Sequence, residues 1–278
     1  MSYLSTILAD SPLAVWRLGE TSGTTAVDAS GNGRNATYSG TYTQGQPGAI
    51  SDGDPAVLLV AAGQIESADD PAFTVGDFTY EIWVKTTIAS VTVFMTQGVT
   101  SKWFGNLASG QLSMGGNANS VALINDGNWH HCCAVFVAAT NTITLYIDGV
   151  ADGTAVESTN PTGPVTLGQF AGFGGFGVQG CLDDAAIYGT ALSAAQVLAH
   201  YNAGIAPNSV LLNNLLELAP ALGPIPSDGA NIDAVYGSFT LTGQDTGLRV
   251  ARLLTAAAAS HTLTGQNTSL LVQRSLTA

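Results

Sequence analysis

Thr142, Thr144 and Tyr146 alternate with Ile143, Leu145 and Ile147, the period of two that marks a strand with one apolar face. Asp148-Gly149 follows at once, the pair that a two-residue type I′ hairpin accepts most easily, so residues 127–149 read as two strands and the tight turn into a third. The same alternation in DFTYEIWVKT, 77–86, sets Phe78, Tyr80, Ile82 and Val84 on one face and Thr79, Glu81, Trp83 and Lys85 on the other. One face must line a core. Ahead of these, Tyr3–Ala9 predicts a short helix that Pro12 ends, Ala14–Leu18 a first strand, and DASGNGRN at 28–35 a turn cluster. At 180–204 the chain passes from a strand ending near Tyr188 into a helix with Ser193 as N-cap, Gln196 completing a capping box, and Gly204 where a left-handed C-terminal residue is expected.

Beyond 204 the texture changes. Pro207, Pro220, Pro224 and Pro226 punctuate 205–236, a connector in which VLLNNLLEL predicts a short helix. A repeat follows: TLTGQDTGLRVARLLTA at 240–256 recurs as TLTGQNTSLLVQRSLTA at 262–278, identical at 12 of 17 positions. Each copy predicts strand, turn, strand. Leu248, Val250 and Arg252 share a face in the first, and Leu270, Val272 and Arg274 occupy the same places in the second. Hairpins this small are marginal alone and leave open edges, so 237–278 is expected to dock on a partner surface.

Few charged residues, 33 glycines and abundant Thr, Ser, Ala and Val suit short strands and tight turns. The net charge of −13 falls almost wholly on residues 1–204, a surface that repels phosphate backbones and argues against nucleic acid as partner. Three cysteines, Cys132, Cys133 and Cys181, give no disulfide framework. No apolar run approaches membrane-spanning length and no basic, apolar leader opens the chain, so a soluble protein made in the cytosol, without membrane insertion, is expected.

Taken with PLAVWRLGETSGTTAVDASGNGRNATY at 12–38, the hairpin of 127–149 and the strand-to-helix segment of 180–204 closely resemble the laminin G-like family of concanavalin A-like jelly-roll sandwiches. The resemblance spans about residues 1–204. It implies an all-β, antiparallel jelly-roll β-sandwich, followed here by the connector (205–236) and the small repeat-built β segment (237–278). The TLTGQ-type repeats are similar to those of tailed-bacteriophage proteins, which implies a virion component, tail fibre or capsid decoration, with sister subunits (a trimer by the same likeness) and other virion proteins as partners. The other reading is a bacterial extracellular carbohydrate-binding module of an adhesin or glycosidase system.

Related sandwiches include glucanases with a Glu-x-Asp-x-x-Glu strand, which is absent here, and no Gly-x-Ser-x-Gly accompanies the four histidines, so no enzyme is expected. His130, His131, Cys132 and Cys133 diverge as strand neighbours and are expected to pack rather than bind metal. By resemblance a calcium site can form at the sandwich rim if Asp28 and Asn32 meet Asp183 and Asp184, oxygen donors such as a hard cation collects. The same carboxylates equally suit turn capping. Trp103, Phe104, Phe173 and Phe176 offer aromatic platforms for a cell-surface glycan, or else close the ends of the sandwich.

Overall fold

The computed structural model describes residues 2–98, 103–157, 162–170 and 176–206. The chain divides into two units, Met1–Ala206 and Pro207–Ala278. The repeats, with Leu248, Val250, Arg252, Leu270, Val272 and Arg274, lie outside the described residues, and so does Phe173.

The first unit opens with α1 (Tyr3–Ala9), β1 (Ala14–Trp16), β2 (Thr25–Ala26), β3 (Ala36–Gln46) and β4 (Ala56–Ser67), then a 3-10 turn at Pro71–Phe73. Next come β5 (Phe78–Thr86), β6 (Thr92–Gln97), β7 (Trp103–Asn106), β8 (Gln111–Met114) and β9 (Ala118–Leu123). The unit closes with β10 (Trp129–Val137), β11 (Thr142–Ile147), β12 (Val150–Val156), β13 (Val165–Leu167), β14 (Gly180–Tyr188) and α2 (Ala194–Ile205). All the described pairings are antiparallel, in the order β12-β11-β10-β5-β14-β4-β13-β6-β7-β8-β9, with β1 on β14 and β2-β3 on β4.

The sheet curls until its two ends nearly meet. Asp152 of β12 accepts hydrogen bonds from the backbone N–H of Val121 (3.1 Å) and Ala122 (2.7 Å) of β9, so a carboxylate quenches amides that an open edge would leave free. A Cβ at Gly153 would collide with the Asn119 carbonyl, so only glycine permits this approach. The enclosed core includes Trp16, Phe78, Tyr80, Phe94, Phe104 and Phe136.

The β11–β12 turn forms as expected: Ile147 pairs with Val150, and Asp148 and Gly149 have φ of 53° and 78°. On β5 the alternation also holds, but both faces are buried. Phe78, Tyr80, Ile82 and Val84 line the main core, while Trp83 belongs to a second cluster beneath the helices, with Tyr3, Ile7, Cys133, Tyr188 and Val197. The two adjacent cysteines serve one cluster each.

The Ser193–Gln196 capping box is present, and α2 buries Val197, His200 and Gly204 along one stripe. Gly204 does not end the helix in a left-handed conformation. It lies inside the helix, where a Cβ would stand 2.4 Å from the Trp83 indole; the glycine is there for close helix-on-sheet approach.

Candidate functional site

The loop 28–35 is built around one carboxylate. Asp28 Oδ1 accepts from the N–H of Val15 (3.0 Å) and Ser30 (2.9 Å), and Oδ2 from that of Arg34 (2.8 Å). Burial opposes the charge, yet these hydrogen bonds outweigh it and hold the Asp28 carboxyl below the usual range. Left-handed φ at Gly31 and Gly33 turns Asn32 back on the chain, where its amide donates to the carbonyls of Pro12 (3.1 Å) and Leu13 (3.0 Å). Arg34 follows suit, donating from Nη1 to the Leu13 carbonyl and from Nε to Asp70, with its guanidinium 5.6 Å over the Phe73 ring. These are turn-capping roles.

Asp183 and Asp184 sit at a β14 bulge, Asp184 in a left-handed conformation (φ 43°). Asp183 accepts from the Ala49 N–H at 2.7 Å, and Asp184 meets Arg17 Nε at 3.0 Å. The same guanidinium reaches Asp52 (2.6 Å) and Asp54 (3.2 Å), so one cation faces a run of carboxylates. Burial, the like charges of Asp52 and Asp54, and only partial relief from Arg17 push Asp184 up to about 7; burial and the adjacent Asp184 push Asp183 well up too. The structure does not bring Asp28 together with Asp183 and Asp184. Although β1 and β14 are neighbours, Asp28 spends its oxygens on backbone N–H groups, and among the described residues no three His, Cys, Asp or Glu side chains come together to hold a metal.

A third cluster was not foreseen. Glu81, wholly buried on β5, accepts from the Tyr3 hydroxyl (3.2 Å) and lies 2.8 Å from His131 Nε2 and 2.9 Å from His200 Nδ1. His200 Nε2 in turn lies 2.8 Å from Asp10, so its two ring nitrogens each face a carboxylate. An imidazole can donate from both nitrogens only as the imidazolium. Burial disfavours that charge, but the hydrogen bonds to Glu81 and Asp10 prevail and raise His200, while Glu81, against its burial, is held strongly down by the two histidines. Trp83 donates to the Tyr3 hydroxyl and stacks on Tyr201, which ties both helices and two strands into one buried network. The signal in the sequence was a lone carboxylate in an otherwise uncharged stretch of strand, between Tyr80 and Ile82, with WHH on another strand.

Of the aromatic residues expected at a ligand surface, Phe104 is in the core instead, opposite Met95 and Met114, because strand alternation turns it inward once Trp103 faces out. Trp103 is half-buried, and Phe176 is 43% exposed beside Val93, whose N–H donates to the Phe176 carbonyl. In register, Thr37, Glu66, Thr166, Thr96 and Trp103 stand side by side across β3, β4, β13, β6 and β7. Their sequence neighbours Ala36, Ile65, Val165, Met95 and Phe104 point into the core, so this row lies on the opposite face. The Thr166 hydroxyl donates to Glu66 at 3.1 Å. Thr166 and Thr96 are fully buried within the row, and its members that reach solvent are Thr37, Glu66 and Trp103.

Residues 61–198 match the family model described as the concanavalin A-like lectin/glucanases superfamily. They form a domain of that superfamily. No curated protein matches the chain. Among solved structures, domain 4 of AbnA, a GH43 extracellular arabinanase from Geobacillus stearothermophilus, in complex with arabinotriose, is similar over 69% of this chain and 98% of its own, at 18% identity and a TM-score of 0.53. The binding domain of Paraclostridial Mosquitocidal Protein 1 is similar over 71% of this chain and 53% of its own, at 16% identity and a TM-score of 0.55. For the botulinum neurotoxin serotype C1 binding domain the coverage is 70% and 52%, at 13% identity and a TM-score of 0.53. The chain spans about half the length of these two toxin domains. At such identities the likeness shows the concanavalin A-like fold.

Proposed function

We propose that this protein is a non-catalytic, glycan-binding sandwich. The observation that carries the reading is the outward row that runs from the exposed Thr37 and the half-buried Glu66 to the half-buried indole of Trp103. Sugar recognition uses this combination: C–H faces stack on the ring and hydroxyls exchange hydrogen bonds with fixed polar groups. The likeness to an arabinanase domain that holds arabinotriose supports the same class of ligand. Against catalysis, Glu81 is sealed from solvent with its oxygens engaged by two histidines and a tyrosine, and Asp183 is tied to the Ala49 amide. Neither carboxylate can meet a glycosidic oxygen. Trp103→Ala in the full chain should lower affinity for a bound oligosaccharide by about tenfold or more, the loss typical of an aromatic anchor, as read by calorimetry; unchanged affinity would put the sugar elsewhere.

The setting we propose is a bacteriophage virion, with 237–278 joining the chain to sister subunits as a tail fibre or decoration protein. The 22-residue repeat supports it, since paired hairpins of that size need a surface to cover their edges. In sedimentation the full chain should be oligomeric at micromolar concentration, and a version ending at Ala206 monomeric. Two monomers would contradict the assembly role. An extracellular carbohydrate-binding module is the second reading, favoured by the arabinanase likeness.

A further inference from the structure

We propose a second sugar subsite, for a single neutral ring, in the cleft between the end of α1 and the 28–35 loop. It rests on the glycan-binding reading above and adds a place and a ligand class to it. The cleft has a volume of about 500 Å³ and is lined by Leu8, Ser11, Pro12, Leu13, Ser30, Asn32 and Arg34. That is within the range of small-molecule sites, roughly 300–1,000 Å³.

Its walls divide by chemistry. Leu8, Pro12 and Leu13 give an apolar floor on which the C–H face of a sugar can lie, while Ser11, Ser30, Asn32 and Arg34 supply polar atoms. Asn32 uses both amide hydrogens on backbone carbonyls, which leaves Oδ1 as a spare acceptor; Arg34 uses Nε and one Nη1 hydrogen, which leaves Nη2 as a spare donor. A sugar hydroxyl both donates and accepts, so neighbouring hydroxyls suit an acceptor beside a donor. The groups are also held in place before any ligand arrives. The three N–H bonds to Asp28, the Arg34–Asp70 pair at 2.7 Å and the Phe73 ring under the guanidinium fix the loop, so little ordering cost remains for binding.

Charge decides the class of ring. Arg34 is the one cation among the described residues that line the cleft, and it is already paired with Asp70; Asp28 accepts from the Arg34 backbone, and Asp10 precedes Ser11 in the chain. The His200 imidazolium faces Asp10, so Asp28 and Asp70 are the two carboxylates set against one guanidinium; the excess is negative, and a uronic or sialic acid is repelled where a neutral ring is not.

The test is nuclear magnetic resonance titration of the full chain with arabinotriose and, separately, with trigalacturonic acid, following the Asn32 side-chain amide, the Arg34 Nε–H and the Trp103 indole N–H. We expect arabinotriose to shift the Asn32 and Arg34 signals and trigalacturonic acid to leave them in place. Leu8→Trp, which fills the cleft from the helix side, and Arg34→Lys, which keeps the charge but replaces the fixed guanidinium fork, Nη2 included, with a single ammonium, should each weaken the Asn32 response by about tenfold or more, with the melting temperature reported beside it. If Leu8→Trp unfolds the chain, Arg34→Lys carries the test. Shifts confined to Trp103, with both variants behaving as the parent, would overturn the cleft and leave the glycan reading intact. A stronger response to the acidic sugar would overturn the charge argument and the proposal with it. Silence at all three probes, extended to a panel of neutral oligosaccharides, would sink the glycan reading as well.

Discussion

Glu81→Ala is expected to destabilise the sandwich by about 3–5 kcal/mol, the range for removing one partner from a buried ionic network. The loss is concentrated because three donors converge on this one carboxylate. Without it, His131 and the Tyr3 hydroxyl lose the acceptors they face, and His200 keeps only Asp10 to balance its charge. Each orphaned group then bears its desolvation penalty with nothing in return. Glu81→Gln separates shape from charge: its carbonyl can still accept, and its amide can donate to His200 Nδ1 once that ring is neutral. The glutamine variant should therefore be closest to the parent at alkaline pH and weakest in acid. Urea midpoints at constant m would show both effects. An alanine variant within 1 kcal/mol of the parent, as an ordinary surface substitution would be, would mean that the network adds nothing to the fold.

Stability should peak in mild acid and decline through neutrality. Asp184, lifted to about 7 by burial, and Asp183, lifted well above its usual range by burial and by Asp184, keep protons in the fold that the unfolded chain releases near pH 4. The native state then binds more protons, so stability falls as pH rises from about 4 to 7, by at most about 1.4 kcal/mol per unit for each proton. His200 acts in the same direction at higher pH. Its raised imidazolium stabilises fully below the unfolded value and is lost as pH climbs through the folded one. On the acid side Glu81 and Asp28, both depressed, contribute stability above about pH 4 that disappears as they protonate. Melting temperature followed from pH 3 to 9 should rise and then fall. Asp184→Asn should flatten the fall between pH 4 and 7, because it removes the ionising group while its side-chain oxygen still faces Arg17. A curve that climbs steadily to pH 8 would contradict this balance of charges.

The strand pattern made much of the fold legible before any coordinates. Alternation at 77–86 and 142–147, the Asp148-Gly149 turn and the Ser193 capping box each appear where local chemistry demands them. Local chemistry could not show that both faces of β5 are covered. That depends on where α1 and α2 land, so nothing local marked Glu81, the one carboxylate on its strand, as the hub of a buried network. The choice between ligand platform and interior for Phe104 stayed open for a related reason: inward and outward positions on a short strand are fixed by its neighbours' register, which β7 alone does not encode. Turn capping by Asp28 and Asp183 was legible as one of two readings, but which backbone amides they would meet, those of Val15, Ser30 and Arg34 for Asp28 and Ala49 for Asp183, no motif announces.

The central claim, that the outward face carrying Trp103 binds sugar without cleaving it, is most directly tested by isothermal calorimetry of the full chain with a panel of neutral oligosaccharides beginning with arabinotriose, paired with product analysis of the same mixtures. The expected result is saturable binding, loss of affinity in Trp103→Ala, and intact oligosaccharide after prolonged incubation. Heat too small to fit for every sugar, or the appearance of shortened products, would contradict it.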